Sequence, residues 1–220
     1  DAATGAAYIF IEEATGDNAI IICPGVAATI APGDIEANRD LIASATVFMT
    51  QLEQPLDAAV RALEIARAAG VQTILNPAPA TSLPDGMLAL CDYVTPNETE
   101  TEALTGVAVS SVDDARRAAE VFLSKGVGAA VITLGERGAL FHSARQSELV
   151  PSVDAGPVVE TTGAGDAFNG GLAAALARDD DPVDAVRFGC ATAGISVTRP
   201  GTAPSMPTLA QVEELMARSP

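Results

Sequence analysis

Tryptophan is absent from the 220 residues, aromatic side chains make up only 4%, and there is a single histidine, His142. So small an aromatic supply provides no platform on which single-stranded nucleic acid could stack. Basic residues are scarce as well: 12 Lys and Arg stand against 29 Asp and Glu, for a formal net charge of −17. Such a surface repels phosphate backbones and anionic membranes, which argues against both as partners, although a small anion site built from backbone amides would survive it. The three cysteines, Cys23, Cys91 and Cys190, are far apart and lack Cys-x-x-Cys spacing. They make neither a disulfide framework nor a zinc site, and a reducing cytoplasm is the default expectation. No uninterrupted apolar run approaches the roughly 18–20 residues that span a bilayer. What remains, 48% hydrophobic and 19% charged with 19 Gly and 14 Pro, fits a soluble chain of one large domain with a sizeable core.

Short β-branched runs alternate with Ala-rich stretches of helical period, which predicts an α/β fold of βα units around a mostly parallel sheet. Strands are expected at Ala7–Ile11, Ala19–Cys23, Val47–Thr50, Gln72–Asn76, Tyr93–Thr95, Ala130–Leu134, Ala139–His142 and Ser147–Pro151. The first two read as a hairpin across a Gly-Asp-Asn turn. Helices are expected at Ile35–Ala43, Leu56–Ala69, Asn97–Thr105, Val112–Lys125, Ala164–Ala177, Pro182–Thr198 and Leu209–Ala217. Ser111 with Asp114 and Thr208 with Gln211 resemble capping boxes, and Gly70, Gly106 and Gly126 stop the helices before them.

The chemistry is concentrated in Thr161-Thr162-Gly163-Ala164-Gly165-Asp166-Ala167-Phe168-Asn169-Gly170. Small residues at 163–165 let backbone N–H groups approach an anion, and the helix that starts there points its positive dipole end at the same spot. Asp166 sits where an attacking hydroxyl would arrive, so the segment has the layout of a phosphoryl-transfer site. It is not a Walker A loop, since no Lys-Ser or Lys-Thr follows the glycines. The plainer reading is a tight turn with a helix-start carboxylate. Asn97 and Glu100, three apart at a helix start, equally read as a capping box with a solvated acidic face. Thr133 to Gly138 reads as a hairpin, Glu53 as an exposed loop acid, His142 as exposed structure on an edge-like strand, and Cys190 as a core cysteine.

The segment at 161–170 resembles the C-terminal signature of the ribokinase, or PfkB, family of carbohydrate kinases. The likeness continues, in the family's order, through Gln51-Leu52-Glu53-Gln54-Pro55-Leu56, Asn76-Pro77-Ala78-Pro79-Ala80, Thr95-Pro96-Asn97-Glu98-Thr99-Glu100, Val131 to Gly138 and Val197-Thr198-Arg199-Pro200-Gly201. It covers nearly the whole chain, residues 1–220. The implied fold is a three-layer α/β/α sandwich with a mostly parallel central sheet, plus the remnant of a small β lid at residues 7–23. The implied activity is ATP-dependent phosphorylation of a sugar primary hydroxyl, with D-ribose the first candidate and fructose, other pentoses or adenosine the alternatives. Dimerisation through the lid is a further possibility that the family raises.

Carried over by motif, Asp166 is the catalytic base, Gly163, Ala164 and Gly165 form the anion hole, and Glu53 joins Asp166 in holding the sugar. Asn97, Thr133, Gly135, Gly138, Gly165 and Cys190 fall at ATP-contacting positions, and Glu100 at one that orients Mg²⁺ through water. A monovalent cation, K⁺, would lie near Glu160, Thr162, Ser196, Arg199, Gly201 and Ser205. Here Glu160 stands where the family has Asp, which moves the carboxylate by one methylene. The family's N-terminal Gly-Gly-x-x-x-Asn sugar-binding segment is not in these 220 residues, so the expectation is an N-terminally truncated kinase, with a non-catalytic nucleotide-binding fragment as the alternative.

Overall fold

The computed structural model describes residues 3–11 and 18–218. An antiparallel hairpin, β1 (Ala6–Ile11) and β2 (Asn18–Cys23), pairs Ala6 with Cys23 and Ile11 with Asn18 and forms a sheet of its own. The Gly-Asp-Asn turn expected between these strands lies largely outside the described residues. Two short helices, α1 (Pro32–Ala37) and α2 (Arg39–Ala43), follow where one helix over Ile35–Ala43 was expected. The break is at Asn38, whose side-chain amide donates to the Asp34 carbonyl at 2.9 Å. A side chain that satisfies a backbone acceptor in this way competes with the helical ladder.

Six strands make the main sheet, in the order β3 (Val47–Thr50), β4 (Gln72–Leu75), β5 (Tyr93–Val94), β6 (Ala129–Thr133), β7 (Ala139–Ser143) and β8 (Ser147–Val150). The first four are parallel, and β7 and β8 complete the sheet antiparallel. Between and after them come α3 (Leu56–Ala68), α4 (Glu98–Thr105), α5 (Val112–Ser124), α6 (Ala164–Leu176), α7 (Pro182–Ser196) and α8 (Leu209–Arg218). The period-2 alternation of the strands divides the core between two faces. Ile74, Tyr93, Val131 and Phe141 pack against Phe168 and Leu172 of α6 and Val186 and Ile195 of α7. Their neighbours Leu75, Val94, Ile132 and Leu140 pack on the other side against Leu63 of α3 and Phe122 of α5. Helices on both faces of a mostly parallel sheet give the expected three-layer α/β/α architecture.

Phe122 is fully buried. Phe122→Ala is expected to lower the unfolding free energy by about 3–5 kcal/mol, measurable by urea denaturation.

The expected cap at Ser111 is present. Ser111 Oγ accepts from the Asp114 N–H at 3.1 Å, and Asp114 Oδ2 accepts from the Ser111 N–H at 2.9 Å. Hydrogen bonds from the Ser110 hydroxyl first, then from Ser111, hold the Asp114 carboxyl well below the usual carboxylate range. At Thr208 the N–H donates to Gln211 Oε1 at 3.0 Å.

His142 departs from expectation. It is buried, because β7 lies inside β8 rather than at the edge and α5 covers it. Both ring nitrogens have partners, Ser147 Oγ at 2.9 Å from Nδ1 and Glu120 Oε1 at 3.0 Å from Nε2.

Candidate active site

In an open α/β sheet, ligands gather beyond the carboxyl ends of the parallel strands. Gln51 is the first residue past β3, Asn76 the first past β4, Thr95 the first past β5, and Thr133 ends β6. The pairing of neighbouring parallel strands therefore sets these four residues along one edge of the sheet. The first turn of α6 meets that edge. Gln51 Nε2 donates to Asp166 Oδ1 at 3.1 Å, across 115 residues of chain, and approaches Asn76 Oδ1 at 3.4 Å. The Leu52 N–H donates to the Ala78 carbonyl at 3.0 Å, which ties the loop after β3 to the loop after β4.

Helix α6 opens where the sequence places it. Gly163 is its N-cap with φ 79° and ψ 5°, a left-handed conformation that glycine adopts without steric cost. A Cβ at Gly163 would stand 3.1 Å from Thr202 Cγ2, so the loop also packs tightly against the segment after α7. The Ala164 N–H closes a turn onto the Thr161 carbonyl at 3.1 Å. Gly165 and Asp166, second and third in the helix, have N–H groups with no carbonyl a turn behind them, which is the condition for an anion site at a helix start. Asp166 itself is exposed.

The proposed cation residues share two loops that are fastened together. The Gly201 N–H donates to Glu160 Oε2 at 2.8 Å, and the Val159 N–H donates to the Val197 carbonyl at 2.7 Å. The Gly201 N–H, then the Thr162 hydroxyl, lowers the Glu160 carboxyl below its usual range. Ser205 is buried and its hydroxyl donates to the Thr202 carbonyl at 2.6 Å, while the Ser196 carbonyl accepts from the Arg199 N–H at 3.2 Å. Glu160, Thr162, Ser196, Arg199, Gly201 and Ser205 thus all lie on, or next to, this fastened pair of loops, although Glu160 spends one oxygen on the fastening.

Asn97 and Glu100 form a reciprocal capping box on α4. Asn97 Oδ1 accepts from the Glu100 N–H at 2.8 Å, and Glu100 Oε2 accepts from the Asn97 N–H at 2.9 Å. Burial pushes the Glu100 carboxyl up, and the Asn97 N–H only partly offsets it. Thr133 is joined to this corner, its N–H donating to the Pro96 carbonyl at 2.9 Å. Gly135 and Gly138 bracket the turn that follows, both with positive φ. Cys190 is buried in α7, where burial pushes its thiol up to about 12.

Glu53, read from the sequence as the sugar-holding acid, is exposed two residues beyond Gln51. The side chain from this loop that reaches Asp166 is Gln51, a residue of the Gln-Leu-Glu-Gln-Pro-Leu run to which the resemblance assigns no role. Its position as the first residue past a parallel strand was the available signal.

The pfkB family of carbohydrate kinases matches residues 1–209. A ribokinase of Staphylococcus aureus is 38% identical over 216 residues, 98% of this chain and 70% of the relative. A deoxyribokinase of Salmonella typhi is 35% identical over 215 residues, 97% of this chain and 70% of that protein. The solved structure of Arabidopsis thaliana ribokinase complexed with ribose and ATP superposes with a TM-score of 0.88 at 28% identity, covering 98% of this chain and 70% of the other. The match over most of the length, together with a carboxylate at a helix start on the carboxyl edge of the sheet, shows that the chain belongs to the pfkB family of carbohydrate kinases.

Proposed function

We propose that this sugar kinase transfers the γ-phosphoryl group of ATP to the primary hydroxyl of D-ribose, giving D-ribose 5-phosphate. One observation carries the reading: Asp166 stands in the first turn of α6 directly behind Gly163–Gly165 and is held from the sheet edge by Gln51. The donated bond occupies Oδ1, and no hydrogen bond from the described residues occupies Oδ2. Asp166 takes the proton of the sugar hydroxyl as its oxygen attacks the γ-phosphorus in line. The new O–P bond forms as the bond to the β-phosphate oxygen breaks, and ADP leaves. Of the loop 163–165, the Gly165 N–H is free to meet the charge that develops on the transferring group, while the Ala164 N–H would have to leave the Thr161 carbonyl to join it; positioning does most of the remaining work.

Glu53 would hold sugar hydroxyls beside Asp166, and Asn97, Thr133, Gly135, Gly138, Gly165 and Cys190 would line the nucleotide. Among the described residues no three His, Cys, Asp or Glu side chains cluster closely enough to cage a metal. That fits Mg²⁺, which prefers to keep waters and bind through substrate phosphates with one or two carboxylates. Glu100, with one oxygen in the cap and the other outside it, suits such a water-bridged role. When bound, Mg²⁺ neutralises charge on the β- and γ-phosphate oxygens. A K⁺ ion would be held by oxygens of Glu160, Thr162, Ser196, Arg199, Gly201 and Ser205, where it would brace the anion loop.

The test is ADP release by the purified chain with ATP, Mg²⁺ and K⁺, with D-ribose and in parallel with 2-deoxyribose, fructose, other pentoses and adenosine. Ribose-dependent release above the other substrates is the expected result. A preference for 2-deoxyribose would move the assignment to the activity named for its Salmonella relative. No release with any acceptor, in a folded sample that binds ATP, would leave a nucleotide-binding chain without kinase activity. Replacing K⁺ with Na⁺ is expected to lower the rate, and an unchanged rate would sink the cation assignment.

A further inference from the structure

Three polar side chains are buried where the sheet edge meets α6: Asn76 at 8% exposure, Thr95 at 1% and Asn169 at 4%. Burying polar groups costs free energy unless each is paired, and here each is. The Thr95 hydroxyl donates to Asn169 Oδ1 at 2.6 Å, and Asn169 Nδ2 donates to the Gly165 carbonyl at 2.9 Å. In the other direction the Thr95 carbonyl accepts from Asn76 Nδ2 at 2.8 Å. Asn76 Oδ1 then faces Gln51 Nε2, which donates to Asp166.

The direction of the whole chain is determined. Asn169 must turn its NH₂ to Gly165, because its oxygen there would oppose a carbonyl, and so it must offer Oδ1 to the Thr95 hydroxyl. Asn76 must likewise turn its NH₂ to the Thr95 carbonyl and its oxygen to Gln51. Thr95 is therefore a node with two branches. One runs through Asn76 and Gln51 to the Asp166 carboxylate, and the other runs through Asn169 to the peptide of Gly165. The branches end on adjacent residues of the first turn of α6. We infer that Thr95 and Asn169 are positioning residues for phosphoryl transfer, buried side chains that lock the first turn of α6, and with it Asp166 and the Gly165 amide, to the carboxyl edge of the sheet.

The part of this inference that concerns turnover rests on the kinase reading; the part that concerns the lock does not. Thr95→Val keeps the side-chain shape and removes only the hydroxyl, leaving Asn169 Oδ1 unpaired. Hydrogen exchange of the segment 164–169 is expected to speed up by about tenfold or more, with the strands and α7 unchanged. For ribose phosphorylation kcat is expected to fall about 10- to 100-fold while KM for ATP moves less than about threefold, since misplacement of reacting groups by a fraction of an ångström is felt in the chemical step. Thr95→Ser, which retains the hydroxyl, is expected to restore both readouts. Unchanged exchange over 164–169 overturns the lock, and so does acceleration spread evenly over the sheet, which would mean a general loss of packing. If Thr95→Val does not fold, Asn169→Leu removes that bond from the helix side, together with the bond from Asn169 to the Gly165 carbonyl, and is judged by the same exchange pattern. A wild-type chain that phosphorylates no sugar would remove the kinase reading, while the exchange comparison would still decide the lock.

Discussion

Asp166→Asn is expected to reduce turnover by about 10²–10⁴-fold, the range that a positioned general base contributes. ATP affinity should stay within about threefold, because the substitution leaves the backbone amides of the α6 N-terminus in place. The variant is close to isosteric, and its side-chain oxygen can still accept the hydrogen bond from Gln51 that holds Asp166 at 3.1 Å. Geometry is thus retained while the proton acceptor is lost. Steady-state rates with ATP and D-ribose, alongside calorimetric titration with ATP, separate the two effects. Near-normal turnover would remove Asp166 from the base role and shift attention to another carboxylate of the same edge, with Glu53 the first to examine. A large loss of ATP affinity would point instead to a role for the carboxylate in binding the nucleotide.

Much of this site was legible in the sequence because its determinants are local. The run from Gly163 to Gly170 specifies a left-handed N-cap, a helix start and a carboxylate in the first turn, and each depends only on neighbouring residues. The reciprocal bonds of Asn97 with Glu100 and of Ser111 with Asp114 were visible for the same reason. Short β-branched runs taking turns with Ala-rich helical stretches announced βα units around a mostly parallel sheet, hence the layers. What was hidden depends on partners distant in sequence. Gln51 meets Asp166 across 115 residues, and Thr95 meets Asn169 across 74. Neither residue type carries a local pattern that singles it out. His142 was misjudged because its exposure is set by β8 and α5, which supply Ser147 and Glu120. The helix expected over Ile35–Ala43 ignored the capacity of Asn38 to bond the Asp34 carbonyl. Apolar periodicity does not register a competing side-chain bond of that kind.

Gly138→Ala is expected to destabilise the fold by about 3–5 kcal/mol, combining a strained backbone with overpacking against atoms that cannot yield. Gly138 has φ 97°, outside the region open to residues with a Cβ. An added Cβ would stand 2.1 Å from the Val150 carbonyl oxygen and 2.6 Å from the Ser152 nitrogen, both backbone atoms at the end of β8. The turn cannot swing clear, because the Leu134 N–H is held by the Gly138 carbonyl at 2.8 Å and Ser152 Oγ donates to the Glu136 carbonyl at 2.6 Å. Gly135, at the other end of the turn, provides the comparison: its φ is 57°, but nothing lies within 4 Å of its Cβ position. Gly135→Ala should therefore cost only about 1–2 kcal/mol, the strain of a left-handed residue alone. Urea denaturation of both variants without nucleotide makes the comparison. If the two are destabilised equally, close approach at Gly138 is not what selects glycine there. If Gly138→Ala is far the weaker, as expected, the chain itself demands glycine at this position before any ATP is bound. Contact with the nucleotide then has to be shown at Gly138 by a measurement other than loss of activity on mutation.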